Sequence, residues 1–82
     1  MRYDPVSGCI DFSLALDTLR RGERVARHGW NGKGMWIQIQ RPDDHSKMSR
    51  PYIYMHAANG DLVPWVASQS DLLAEDWYEV IQ

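Results

Sequence analysis

Two short segments gather most of the side chains that could do chemistry. The first is Gly29-Trp30-Asn31-Gly32-Lys33-Gly34. Glycines let a ligand come close to the backbone, and successive N–H groups can cradle an anion, with Lys33 adding a positive charge. The segment matches neither the Walker pattern nor the dinucleotide fingerprint, because the spacing differs and no helical pattern follows it. The same residues also read as a tight β-turn with glycine where φ must be positive, and spacing alone favours the turn. The second segment is Val63-Pro64-Trp65-Val66-Ala67-Ser68-Gln69-Ser70-Asp71. Trp65 could stack an aromatic base while Ser68, Gln69 or Ser70 bonds its edge. The plainer reading is a core tryptophan followed by a helix cap, with Ser70 satisfying free backbone N–H groups, and chemistry alone favours it.

The other reactive groups form no recognisable machinery. His28, His45 and His56 lack a metal-ligand spacing, and no cysteine or carboxylate joins them in a ligand pattern, so no metal site is expected. Cys9 has no base beside it in sequence and reads as a small apolar group. Asp71, Glu75 and Asp76 resemble paired acids, but a solvated acidic edge before the last strand is the expected reading. Nothing compels catalysis, and no cofactor is expected.

The elements that must carry these segments follow from periodicity. Phe12, Ala15, Leu16 and Leu19 recur at i, i+3, i+4 and i+7, which predicts a helix opened by Asp11 and closed by Gly22. The period then drops to two. Residues 23–27, 35–40, 52–56, 61–65 and 77–81 read as strands, the third and fourth joined by Asn59-Gly60, a strong hairpin signal. Pro64 confines its strand to an edge or to its own end. Residues 68–74 suggest a capped helical turn, and residues 41–50 a polar loop. The predicted class is α+β, one N-terminal helix packed on an antiparallel sheet of four to five strands. Residues 1–10 read as a lead-in and 11–82 as a single domain.

Composition narrows the function. A formal charge of −2 argues against a general DNA- or RNA-binding protein, which needs a basic face. A single cysteine excludes an intrachain disulfide framework. The apolar runs are too short to span a membrane, and the first residues lack a secretory core, so a cytoplasmic protein is expected. Four tryptophans, four tyrosines and one phenylalanine are a heavy load for 82 residues. Some of them should line an interface or a pocket. A chain this short buries only about 60–65% of its unfolded surface, which makes self-association a route to further burial.

Two stretches carry a resemblance. Val25-Ala26-Arg27-His28-Gly29-Trp30-Asn31-Gly32-Lys33-Gly34-Met35 resembles the VARxGWNGKGM stretch of a small phage and prophage family, the Thoeris anti-defence two family. Residues 59–77 resemble its GxxVPWxxSQxDLLAxDW close, and the order of elements also agrees across residues 11–82. The resemblance implies a sponge in the host bacterial cytoplasm. Members bind cyclic ADP-ribose isomers made by a bacterial TIR-domain immune protein and hold them without cleavage, and some also bind cyclic di- or trinucleotides at separate sites. It further implies a homo-oligomer, a tetramer built as a dimer of dimers with pockets where subunits meet.

Carried onto this sequence, the first motif gives Trp30, Asn31, Gly32 and Lys33 as candidates for ribose and phosphate contacts. The second gives Trp65, Ser68, Gln69 and Asp71 to hold the base or stiffen the wall. Trp36 joins them at a position where other members often carry a different apolar or aromatic residue. The lead-in and a shorter loop at 41–50 depart from the family and bear on ligand identity. Two other classes stay open on the residues: a nucleotide-signal hydrolase using Asp71 or Asp76 with a histidine, and a structural phage module that binds protein through its aromatics.

Overall fold

Asp11 opens the first helix, α1 (Phe12–Arg20), accepting the Leu14 N–H at 3.1 Å and the Ser13 hydroxyl at 2.8 Å. These bonds answer donors that the first turn leaves free. At the far end Gly22 takes φ +91°, and Arg41 donates from a distant loop to the Arg20 carbonyl at 3.0 Å. The structure is a computed structural model and describes residues 9–81; residues 1–8 of the predicted lead-in, and Gln82, lie outside the described residues.

Five strands follow: β1 (Arg24–Arg27), β2 (Trp36–Gln40), β3 (Tyr52–His56), β4 (Leu62–Pro64) and β5 (Trp77–Val80), with α2 (Gln69–Leu73) before the last. They form one sheet in the order β4-β3-β2-β1-β5, every neighbouring pair antiparallel. The class is the α+β one predicted. Pro64 does sit on an edge strand, where its missing N–H costs no ladder bond. The Asn59-Gly60 turn joins β3 to β4, with Gly60 at φ +93°. The sheet also reaches back to Ile10, two residues before α1: Ile10 and Trp77 exchange backbone bonds at 2.8 and 3.1 Å.

Alternation along the strands assigns the two faces. Val25 pairs with Ile37, Ile37 with Met55, and Arg27 with Trp77, so these side chains share one face. On that face α1 packs against β1, β2 and β5. Ala15, Leu19, Val25, Ile37 and Trp77 are buried there, with Phe12, Leu16, Trp30, Ile39, Ile53, Met55 and Trp65 half-buried around them. Burying each large side chain contributes about 1.5–3 kcal/mol. The opposite face carries Arg24, Trp36, Gln38, Tyr54, His56 and Tyr78, mostly polar or aromatic, and no helix among the described residues covers it.

Candidate functional site

Arg27 organises the site. Val25 points into the core, so period two directs Arg27, two residues on, toward the same face. A guanidinium there requires carboxylates. Its Nη1 meets Asp71 Oδ1 at 2.8 Å and its Nε meets Asp76 Oδ1 at 2.9 Å. Both acids are buried, at 7% and 9% exposure, so the expected solvated acidic edge is corrected: only Glu75 of that group is exposed. Burial alone would raise the pKa of Asp71. Hydrogen bonds from Ser68, Arg27 and Trp30 outweigh it and hold its pKa below the usual carboxylate value. Burial likewise opposes the charge on Arg27, and Asp76 and Asp71 more than restore it.

Asp71 also builds the start of α2. The Ser68 hydroxyl accepts the Asp71 N–H at 3.1 Å, and Asp71 Oδ2 accepts the Ser68 N–H at 3.0 Å, a reciprocal capping box. The cap is therefore Ser68 and not Ser70, which lies exposed inside the helix. The remaining capacity of Oδ1 takes the Trp30 indole N–H at 3.2 Å. One carboxylate thus ties the glycine segment to the Pro-Trp segment.

The loop at residues 28–34 is fastened at several points. The Gly29 N–H donates to Asp76 Oδ2 at 2.8 Å, and the Trp30 indole bonds Asp71. Gly32 lies against the turn beyond β3, where an added Cβ would stand 2.7 Å from both the Ala58 Cβ and the Met35 sulfur. The Gly34 carbonyl lies 2.9 Å from His56 Nδ1. Only Gly34 of this loop has positive φ, +77°; Gly29 and Gly32 are there for close approach instead. The turn reading thus holds at Gly34 and misses the reason for the other two.

Three of the four tryptophans meet beneath this loop. Trp30 packs edge-on against Trp77 at 5.3 Å, Trp65 against Trp77 at 6.1 Å, and Phe12 lies 5.3 Å from Trp77. Trp77 is fully buried and donates its indole N–H to the Asp71 carbonyl at 3.0 Å. Trp30 and Trp65 are half-buried and keep part of their surface open.

The candidates therefore fall into three groups. Trp30, Trp65, Ser68 and Asp71 come together as one hydrogen-bonded and aromatic wall. Asn31, Lys33 and Gln69, near Trp30 and Ser68 in sequence, are exposed, and among the described residues their side chains enter no hydrogen bond or ion pair. Gly32 is half-buried and serves packing. Trp36 is not brought to this wall. It lies on the uncovered face, stacked on His56 at 4.9 Å with the Arg24 guanidinium 4.5 Å from its ring centre. Tyr54 meets it edge-on at 6.0 Å and bonds Gln38 at 2.8 Å. Depressions of about 330 Å³ near Glu23, Arg24, Gln38, Val80 and Ile81, and about 380 Å³ near Met48, Arg50, Pro51, Tyr52 and Pro64, share no residue with the wall.

Sequence reasoning missed Arg27 as a member of the site and offered Asp76 only as an acid of the hydrolase reading. The signal was present: an arginine in phase with an apolar valine needs acids, and Asp71, Glu75 and Asp76 gather just before the last strand.

The result is a small α+β fold in which a glycine loop is hydrogen-bonded to a capped helix and to the start of the last strand. The family description "Thoeris anti-defense 2-like domain" matches residues 10–80. The protein named Thoeris anti-defense 2 of Bacillus phage SP01 is 33% identical over 81 residues, covering 83% of this chain and 91% of that relative. The chain belongs to the Thoeris anti-defense 2-like family. That membership supports a role in phage anti-defence.

Proposed function

We propose that the protein binds a cyclic ADP-ribose-type immune signal in the host bacterial cytoplasm and holds it without cleaving it, so that the signal never reaches its effector. Cyclic di- or trinucleotides are further ligands of the same kind. The observation that carries this reading is the fastened wall: Trp30 and Trp65 with open surface, Asn31, Lys33 and Gln69 exposed and near them in sequence, and every support internally bonded. A sponge acts by affinity alone. Micromolar binding needs about 8 kcal/mol and nanomolar about 12. A preformed wall supplies that to a rigid cyclic ligand because little ordering remains to be done on binding.

Two observations support the remaining parts of the reading. Asp71 and Asp76, the acids a hydrolase would use, are both engaged by Arg27 and by backbone or indole donors. This favours a binder over an enzyme. The candidate residues also lie apart from the depressions described above, whereas a small ligand is normally enclosed over about 70–90% of its surface. A second copy would supply the missing wall. Leu62, Val66 and Leu73, exposed at 63%, 87% and 80%, favour such an assembly, with a dimer of dimers as its proposed form.

Melting the protein with 1″–3′ glyco-cyclic ADP-ribose, other cyclic ADP-ribose isomers and cyclic oligonucleotides tests the reading. At a hundred times its dissociation constant a ligand stabilises the fold by about 2.7 kcal/mol. Stabilisation by one of these compounds is the expected result, and no shift with any of them contradicts it.

A further inference from the structure

We propose that Asp76 is the positioning residue of the ligand-holding loop: it sets the pose of Trp30 and its neighbours without itself touching ligand. The inference rests on the sequestration reading above and concerns how the wall is kept in shape.

Asp76 stands at the foot of β5, directly before the fully buried Trp77 of the core. It holds two consecutive amides of the loop. Its backbone carbonyl accepts the His28 N–H at 3.2 Å, and its Oδ2 accepts the Gly29 N–H at 2.8 Å. Its other oxygen, Oδ1, accepts Arg27 Nε at 2.9 Å. Arg27 passes the connection through Nη1 to Asp71 Oδ1, and that oxygen receives the Trp30 indole N–H. The bonds thus run Gly29, Asp76, Arg27, Asp71, Trp30, and the peptide bond between Gly29 and Trp30 closes them into a ring. Backbone and side chain of the same short segment are fixed from one acid.

The ring needs a carboxylate at position 76. Both of its oxygens accept from donors, so an amide of the same shape would turn its NH₂ against either Gly29 N–H or Arg27 Nε. It also needs Gly29: a Cβ there would stand 2.8 Å from Asp76 Oδ2 and 3.0 Å from Arg27 Nη2. Arginine is equally specific, because a lysine at position 27 offers a point charge without the fork that reaches two acids.

The experiment compares the wild-type protein with Asp76→Asn and Arg27→Lys, each kept at a temperature where circular dichroism shows it folded. Two quantities are read: hydrogen exchange of the Gly29 amide and the Trp indole N–H groups by NMR, and affinity for 1″–3′ glyco-cyclic ADP-ribose by calorimetry. The expected result is faster exchange at Gly29 and at the Trp30 indole, an unchanged Trp36 indole signal, and binding weaker by about ten- to a hundredfold. A merely structural role would lower the melting temperature and leave affinity and the Trp30 signal of the folded variant as they were. That outcome in either variant overturns the inference and leaves the sequestration reading standing. Absence of binding by the wild-type protein overturns both, and differs in arising before any substitution is made.

Discussion

The indole N–H of Trp30 donates to Oδ1 of Asp71 at 3.2 Å, joining residues 41 positions apart. The same oxygen accepts Arg27 Nη1 at 2.8 Å. Through this contact the two motif-bearing segments of the family become one object. The glycine segment supplies a tryptophan, the Pro-Trp segment supplies the acid that aims it, and β1 supplies an arginine that pairs with the acid.

Removing Asp71 removes the capping box, the Arg27 pair and the Trp30 bond together. Asp71→Ala should therefore lose about 3 kcal/mol or more of folding stability. In a domain this small that corresponds to a fall in Tm on the order of 15 °C. Urea unfolding followed by tryptophan fluorescence measures it. A loss under about 1 kcal/mol, the range of an exposed pair, would contradict the buried geometry.

Acid should unfold the protein through the same residue. The pKa of Asp71 is lower in the folded state than the ordinary value near 3.8. Its ionisation therefore contributes stability that is complete above the unfolded pKa and is lost as pH falls through the folded one. Stability measured by urea between pH 7 and pH 2.5 should decline below about pH 4. Asp71→Asn should lower the plateau at pH 7 and flatten that acid limb. An equally steep limb in the variant would assign the acid sensitivity to other groups.

Much of this arrangement was legible in the sequence. Asp11 as a cap, Gly22 after the helix, Asn59-Gly60 as a hairpin and Pro64 on an edge all follow from local chemistry, and the structure has each of them. The acids at 71 and 76 were not legible as buried groups, because their partner lies 44 and 49 positions earlier and local charge patterning favours solvent. From the sequence Ser70 reads as the residue that satisfies the free backbone N–H groups; the reciprocal bonds between Ser68 and Asp71 give that role to Ser68. Trp36 shows the limit from the other side. Period two puts it on the face away from Ile37, but only the strand order sets His56 and Arg24 beside it.

The two loop glycines at 29 and 34 should behave differently when replaced. Gly34→Ala meets open space but must hold φ +77°, a cost of about 1–2 kcal/mol. Gly29→Ala keeps an ordinary backbone and collides with Asp76 and Arg27, so it should cost about 2 kcal/mol and release the Trp30 indole N–H as well. Melting curves compare the costs, and the Trp30 indole resonance separates the mechanisms. A released indole in Gly34→Ala, with an intact one in Gly29→Ala, would reverse the assignment.

Asn31, Lys33 and Gln69 carry the opposite prediction. Their side chains are exposed and bond nothing among the described residues, so alanine at each should change stability by less than about 0.5 kcal/mol. If they hold the signal, the same variants bind 1″–3′ glyco-cyclic ADP-ribose about tenfold more weakly or worse. Calorimetry on the three folded variants reads this directly. Unchanged affinity in all three would move the site elsewhere on the protein.

The most direct measurement is recovery of the ligand itself. The protein is incubated with 1″–3′ glyco-cyclic ADP-ribose, separated from free compound by gel filtration, then denatured, and the released material is resolved by chromatography with mass detection. The account predicts that the compound travels with the protein and returns at its original mass in stoichiometric amount. Release of a hydrolysed product would make the protein an enzyme, and recovery of nothing from the protein fraction would contradict sequestration.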